Sequence, residues 1–250
     1  MPALGIITGA GFVFRGIAFV ARSPKLYRHA VVPALAMLVV ASLLLYFGHR
    51  GLHAFVPWLF TEASSGLGDA GKRVVRALAY VALFIGSWFV GLLLAQPLSS
   101  SALDAIALAA RESIQGPTRD LVRTSFATSL FRSIRVTLVT VGVSIAALGT
   151  LTVIDFFVPP AAVVTWPLKI VIASFLASWD LFDYAMSLDG LGVRRRTAWI
   201  ASHRGAAFGF GLTAFGLTLV PFVGLFLLPS AVAGASLLIA TENRGRQPTV

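Results

Sequence analysis

Six consecutive residues, Ser23-Pro24-Lys25-Leu26-Tyr27-Arg28, combine a helix-start signal with two cations. Ser is a favoured N-cap and Pro a favoured first helical residue, so a helix is expected to begin here and run toward Ala30. The free N–H groups of a first helical turn carry partial positive charge. Lys25 and Arg28 are three residues apart and fall on one face near that terminus. Donors and two cations together would hold a small oxyanion. The alternative is that both are ordinary cytoplasmic-side residues that meet lipid headgroups.

A second constellation is Trp179-Asp180-Leu-Phe-Asp183-Tyr184. Asp180 and Asp183 are helical neighbours. Carboxylates at the edge of a membrane segment serve as proton relays or as partners of basic side chains. The nearby cations are Arg194, Arg195 and Arg196, with Arg204 further along the same basic stretch. Either a pathway role or structural ion pairing fits this set.

Other chemistry is excluded by its missing parts. Gly66 to Lys72 has G-x-x-x-x-G-K spacing, but Arg73 stands where the magnesium-binding Ser or Thr is needed, and no buried strand precedes it. Gly9-Ala-Gly11 is followed by Phe14 at the third glycine of a dinucleotide fingerprint. His49 and His53 share helical spacing without the intervening glutamate of a zinc protease, and His29 and His203 lie apart. All four are expected at the membrane–water boundary. With zero cysteines, thiol catalysis and Cys-ligated metal are excluded. No enzyme is expected, and no cofactor or metal is called for.

Stepping from these residues to the elements that must hold them, composition selects the solvent. The chain is 57% hydrophobic and 12% charged, against about a quarter charged in soluble domains. An all-α integral membrane protein follows, organised as one membrane domain over residues 1–250. Uncharged runs at 30–47 and 77–95 each suit one long transmembrane helix. A third run, 136–158, contains Asp155 and stops at Pro159-Pro160. A fourth, 161–178, contains Pro167 and Lys169. The run 206–240 is too long for one crossing and short for two, with Pro221 near its middle and Pro229 beyond. Proline breaks in hydrocarbon survive only under cover of protein or water. Two proline-hinged helical hairpins, about 136–180 and 206–240, are therefore expected to enter the bilayer without fully crossing it. Pairs of short tilted spans are the alternative. Small residues at Gly205/Gly209, Ala207/Gly211 and Ala231/Ala235 are expected to let the second hairpin pack closely, within itself or between subunits.

Fifteen basic residues fall on the side holding both termini and four on the other, so both termini are expected in the cytoplasm. The net charge of +10 fits anionic lipid headgroups rather than nucleic acid, because the cations are scattered around membrane segments. Residues 11–22, with Arg15 and Arg22 on one face, and residues 118–135 are expected as interfacial amphipathic helices. Ser101 to Asp104 has capping-box spacing at a helix start.

Taken in order, these pieces resemble the CysZ-type sulfate permeases of the etoposide-induced-protein-like membrane family. The resemblance rests on Gly11-Phe12, Pro24 to Arg28 followed by Pro33, Ala95-Gln96-Pro97-Leu98 and Asp183-Tyr184. Its most specific part runs from His203-Arg204-Gly205 through Phe208 to Gly211, Val220-Pro221, Leu228-Pro229 and Ala233-Gly234-Ala235. The family implies two long transmembrane helices, two partly inserted hairpins, homo-oligomers, and sulfate uptake across the bacterial inner membrane for cysteine synthesis. It also implies that an oxyanion, sulfate or a relative, is bound by the loop formed here by Lys25, Leu26, Tyr27 and Arg28. Two departures concern that loop and its surroundings. Tyr27-Arg28 replaces a paired arginine, with Lys25 as compensation, and Ala185 replaces the proline after Asp-Tyr. Both bear on the substrate and not on the fold. A membrane scaffold that binds lipids or partners without transport is the competing function.

Overall fold

The computed structural model describes residues 5–59, 66–117, 126–220 and 223–246. Among them every regular element is helical: α1 (Ile6–Ala21), α2 (Tyr27–Leu59), α3 (Gly66–Leu98), α4 (Ser100–Gln115), α5 (Phe126–Phe157), α6 (Ala162–Leu188), α7 (Val193–Ser202), α8 (Arg204–Thr218) and α9 (Val223–Arg246). Short 3₁₀ turns at Pro24–Leu26 and Pro159–Ala161 open α2 and α6. Five stretches are long and apolar enough to cross a membrane: Pro24–Ala54, Ala70–Leu98, Ser133–Phe157, Pro159–Leu188 and Phe226–Arg244. The protein is an all-α integral membrane protein.

The two expected spans are the centres of α2 and α3, each 33 residues and hence about 50 Å long. They pack antiparallel: Gly91 admits the Met37 carbonyl and the Ala41 methyl at one end, while Gly48 faces Leu83 toward the other. His49 lies 3.0 Å from the Tyr80 hydroxyl across this pair, with His53 edge-on to His49. Gly66 to Lys72, the stretch with phosphate-loop spacing, forms the opening turns of α3.

The double proline does form a hinge. Val158 leaves helical geometry between α5 and the 3₁₀ turn, and α6 returns alongside α5. Both arms exceed the range 136–180 read from the sequence, and each is long enough by itself for a crossing. In the second pair, α8 has 15 residues and reaches only about 22 Å, short of a bilayer core. Most of the apolar window of α9 is buried inside the protein. Pro221, the expected centre of its turn, lies outside the described residues, as do residues 118–125 of the second amphipathic stretch.

The sequence reading placed residues 11–22 at the interface, but the structure puts α1 in the core. Gly9, Phe12, Val13, Gly16 and Val20 are buried, while Ile7, Phe14 and Arg15 remain exposed. The helix lies between α8 and α9 and contacts each far more than they contact one another. Backbone meets backbone on both sides. A Cβ on Gly9 would collide with the Ala206 carbonyl, and one on Gly209 with that of Ile6. On the α9 side, Gly16 sits against Ser230 and Gly234, and Gly234 against Phe12. Gly211 makes a third such contact, with Ser174 on α6. Gly209 and Gly211 of α8 and Gly234 of α9 therefore pack on α1 and α6 of the same chain. Phe182 on α6 completes this core, edge-on to Trp199 of α7 and 5.0 Å from Phe210 of α8.

Local caps are simpler than the sequence implied. α4 takes Ser99 as its N-cap, not Ser101, and no side-chain cap bond forms. Substitution at the close contacts should therefore be costly. Gly234→Val is expected to lower stability by more than the roughly 1–3 kcal/mol of ordinary overpacking, since backbone must move. Gly11→Ala, where an added Cβ meets nothing, is expected to be neutral or stabilising by up to about 1 kcal/mol. Thermal melting in detergent distinguishes the two.

Candidate functional site

The Ser23–Arg28 segment is a tight turn between α1 and α2. The N–H of Ser23 donates to Val20 O, that of Leu26 to Ser23 O at 2.9 Å, and that of Tyr27 to Pro24 O. The 3₁₀ geometry thus takes up several donors that an α-helical first turn would leave free. Pro24 occupies the first helical position as expected, while the Ser23 hydroxyl makes no cap bond. Leu26 is buried and anchors the turn. The Tyr27 hydroxyl donates to Ala21 O at 2.6 Å, tying α2 back to the end of α1. Lys25 and Arg28 stand exposed, with Arg22 exposed just before them. The turn therefore offers side-chain cations on a backbone fixed from both sides. Lys25 and Arg28 are its cationic side chains, and buried Leu26 and the Tyr27 hydroxyl hold the backbone that carries them.

The two carboxylates of α6 go to different neighbours. Asp180 accepts a hydrogen bond from Thr140 Oγ1 of α5 at 2.6 Å. Asp183, 4% exposed, forms an ion pair with Arg196 of α7, whose Nε also donates to Leu191 O. Arg194, Arg195 and Arg204 are exposed, so of the adjacent arginines only Arg196 turns inward. The candidate pathway set is thereby divided between a hairpin contact, an α6–α7 clasp and three surface cations. One turn beyond Asp180, the Tyr184 hydroxyl donates to Gln96 O at 3.4 Å and lies 3.5 Å from Ser133 Oγ.

Sequence reasoning missed further polar ties. Arg111 of α4 pairs with Asp189, and its Nε donates to Gln115 at 2.9 Å. Gln115 donates in turn to Ala240 O, and Arg244 to Ile114 O, binding α4 to α9. His203 stacks on Trp199 and faces Glu242 at 3.3 Å. Lys169 meets Asp155 across the first hairpin at 2.5 Å, with Thr165 on the same carboxylate. One signal was available in the sequence. Thr140 and Asp180 are each twenty residues from Pro160, and Asp155 and Thr165 each five. An antiparallel pair folded on the double proline must oppose them. The large cavity between α3 and the end of α8, about 440 Å³ and walled by Phe84, Trp88, Phe89 and Phe215, has no charged group among the described residues that line it.

With this geometry established, comparison with known proteins decides the relationship. The family model described as "Sulfate transporter CysZ/Etoposide-induced protein 2.4" matches residues 12–229. The chain belongs to this family. Among curated relatives, a protein named sulfate transporter CysZ from Pseudomonas aeruginosa (strain PAO1) is 34% identical over 90 residues, covering 36% of this chain and 37% of that protein. Its namesake from Pseudomonas paraeruginosa is 36% identical over 87 residues, 35% of each chain. The one from Pseudomonas fluorescens (strain Pf0-1) is 29% identical over 87 residues. These alignments span about a third of the length of the curated relatives.

The inward arginine and its partner give a direct test of the α6–α7 clasp. Removing one member of a buried pair leaves an uncompensated charge, at a cost of about 3–5 kcal/mol. Arg196→Met or Asp183→Leu alone is expected to destabilise on that scale, and the double variant to recover most of it. Arg194→Ala and Arg195→Ala, both at exposed positions, are expected to stay within about 0.5 kcal/mol of wild type. Thermal melts of the five variants beside the wild type check the ordering.

Proposed function

We propose that this chain is a membrane permease for a small oxyanion, sulfate in the first place, bound at the Ser23–Arg28 turn. The reading is supported by family membership and by the fixed turn with two exposed cations at the start of a membrane-spanning helix. Lys25 and Arg28 supply charge-assisted donors to the anion, while Leu26 and the Tyr27 hydroxyl keep the turn rigid. Both termini face the cytoplasm of the bacterial inner membrane, on the asymmetry of basic residues. The role is uptake of sulfate for cysteine biosynthesis. The α8–α9 pair enters the bilayer and returns without spanning it, which suits the shortness of α8 and the burial of α9. Homo-oligomer assembly belongs to the same proposal.

The test is radiolabelled sulfate flux in proteoliposomes. A charge-assisted hydrogen bond is worth about 1.5–3 kcal/mol, so Arg28→Ala is expected to lower kcat/KM for sulfate by about 10- to 100-fold. Lys25→Ala should act in the same direction with a smaller effect. A wild-type protein without flux would overturn the permease reading in favour of a lipid- or partner-binding scaffold.

Topology is testable separately. With zero cysteines in the native chain, a single Cys at Val220 reports its own surroundings. It is expected to resist a membrane-impermeant maleimide from the outside, and ready labelling from that side would refute the returning hairpin.

A further inference from the structure

The first hairpin carries polar groups that the Ser23–Arg28 turn does not explain. Lys169 Nζ donates to Asp155 Oδ2 at 2.5 Å, and Thr165 Oγ1 donates to Asp155 Oδ1. The side chains are 23% and 16% exposed for Lys169 and Asp155, so the pair is shielded yet reachable. Around it the hairpin presents open apolar residues, among them Phe157, Val163 and Trp166. Asp155 is the single charged residue of α5 beyond Arg135, and Lys169 that of α6 before Asp180.

Cost argues against a purely structural role. A charge disfavours membrane insertion by about 2.5–3.5 kcal/mol at a helix centre, which is an upper figure for Asp155 and Lys169 toward the hinge ends of α5 and α6. A buried ion pair is commonly matched or bettered in stability by apolar residues of similar volume. The hinge needs no such clasp, because the double proline and the 3₁₀ turn already define it.

The chemistry of the pair is that of an occupied anion site. A carboxylate presents two oxygens to an ammonium and a hydroxyl, the same donors a tetrahedral oxyanion takes. We infer that Lys169 and Thr165 form a second oxyanion station, with Asp155 as a tethered occupant that a free anion displaces. This rests on the permease reading and deepens it. A tethered competitor keeps the station weak, as transit requires: binding must suffice for entry without preventing release.

The experiment uses the full chain in two assays, sulfate flux in proteoliposomes and the sulfate-induced thermal shift in lipid-free detergent. In the second assay, free sulfate is the only oxyanion supplied. Asp155→Asn removes the competing charge and is expected to tighten sulfate binding and lower KM by about threefold or more. The Asp155→Leu/Lys169→Met double variant is expected to melt with the wild type while losing flux by about tenfold or more. A double variant that transports like the wild type would mark the pair as a passive clasp and overturn the station. So would an Asp155→Asn protein with unchanged affinity. If the double variant does not fold, Lys169→Gln decides, since wild-type KM in that protein refutes the proposal. Flux lost in Arg28→Ala but kept in Lys169→Gln removes the station and leaves the permease. If the wild type carries no sulfate, the permease reading falls and the thermal shift of Asp155→Asn alone decides the station.

Discussion

Lipid tails are as apolar as leucine, so helices inside a bilayer gain no hydrophobic free energy by associating. They cohere through close van der Waals contact and hydrogen bonds, and both demand short interaxial distances. In this chain the demand is met by α1, whose glycines at 9 and 16 let its backbone touch α8 on one side and α9 on the other. The turn that follows α1 depends on that insertion. α1 ends where the Ser23–Arg28 turn begins, and the Tyr27 hydroxyl is fastened to the last turn of α1. The position of the exposed cations is therefore inherited from glycine contacts 9 to 19 residues upstream.

Polar groups follow a different logic. Where hydrocarbon surrounds the helices, every hydroxyl and carboxylate on α5 and α6 gains by finding a partner. The hairpin satisfies several in one operation, because opposed residues lie equally far from Pro160. Thr140 meets Asp180 and Thr165 meets Asp155, with Ser133 and Tyr184 near the open end. Beyond the hairpin, Arg111, Asp189, Gln115 and Arg244 join α4, the C-terminal end of α6 and α9 by mixed side-chain and backbone bonds. The hairpin axis and the α4–α6–α9 junction thus use separate sets of polar residues.

Much of this was legible from sequence, and the limits have physical causes. The apolar runs, the double-proline hinge and the start of α2 follow from composition, proline geometry and N-terminal preference. The burial of α1 did not, because glycine weakens helix propensity in any local count, and its value appears only when another backbone arrives. Arg196 could not be told from Arg194 and Arg195, since the choice depends on how α7 is rotated against α6. The helix start at Pro24 was legible, but the free donors expected in its first turn were overcounted. An α-helical first turn leaves its N–H groups open, whereas the observed 3₁₀ turn consumes those of Leu26 and Tyr27.

The mirror symmetry of the first hairpin about its prolines makes chain length there a coded quantity. One residue inserted between Asp155 and Thr165 would turn one arm by about 100° against the other and slide it by about 1.5 Å. Each polar partner on that arm would then face lipid, as a shifted reading frame scrambles every codon downstream. Such a protein would lose several buried contacts at once, with no single side chain altered.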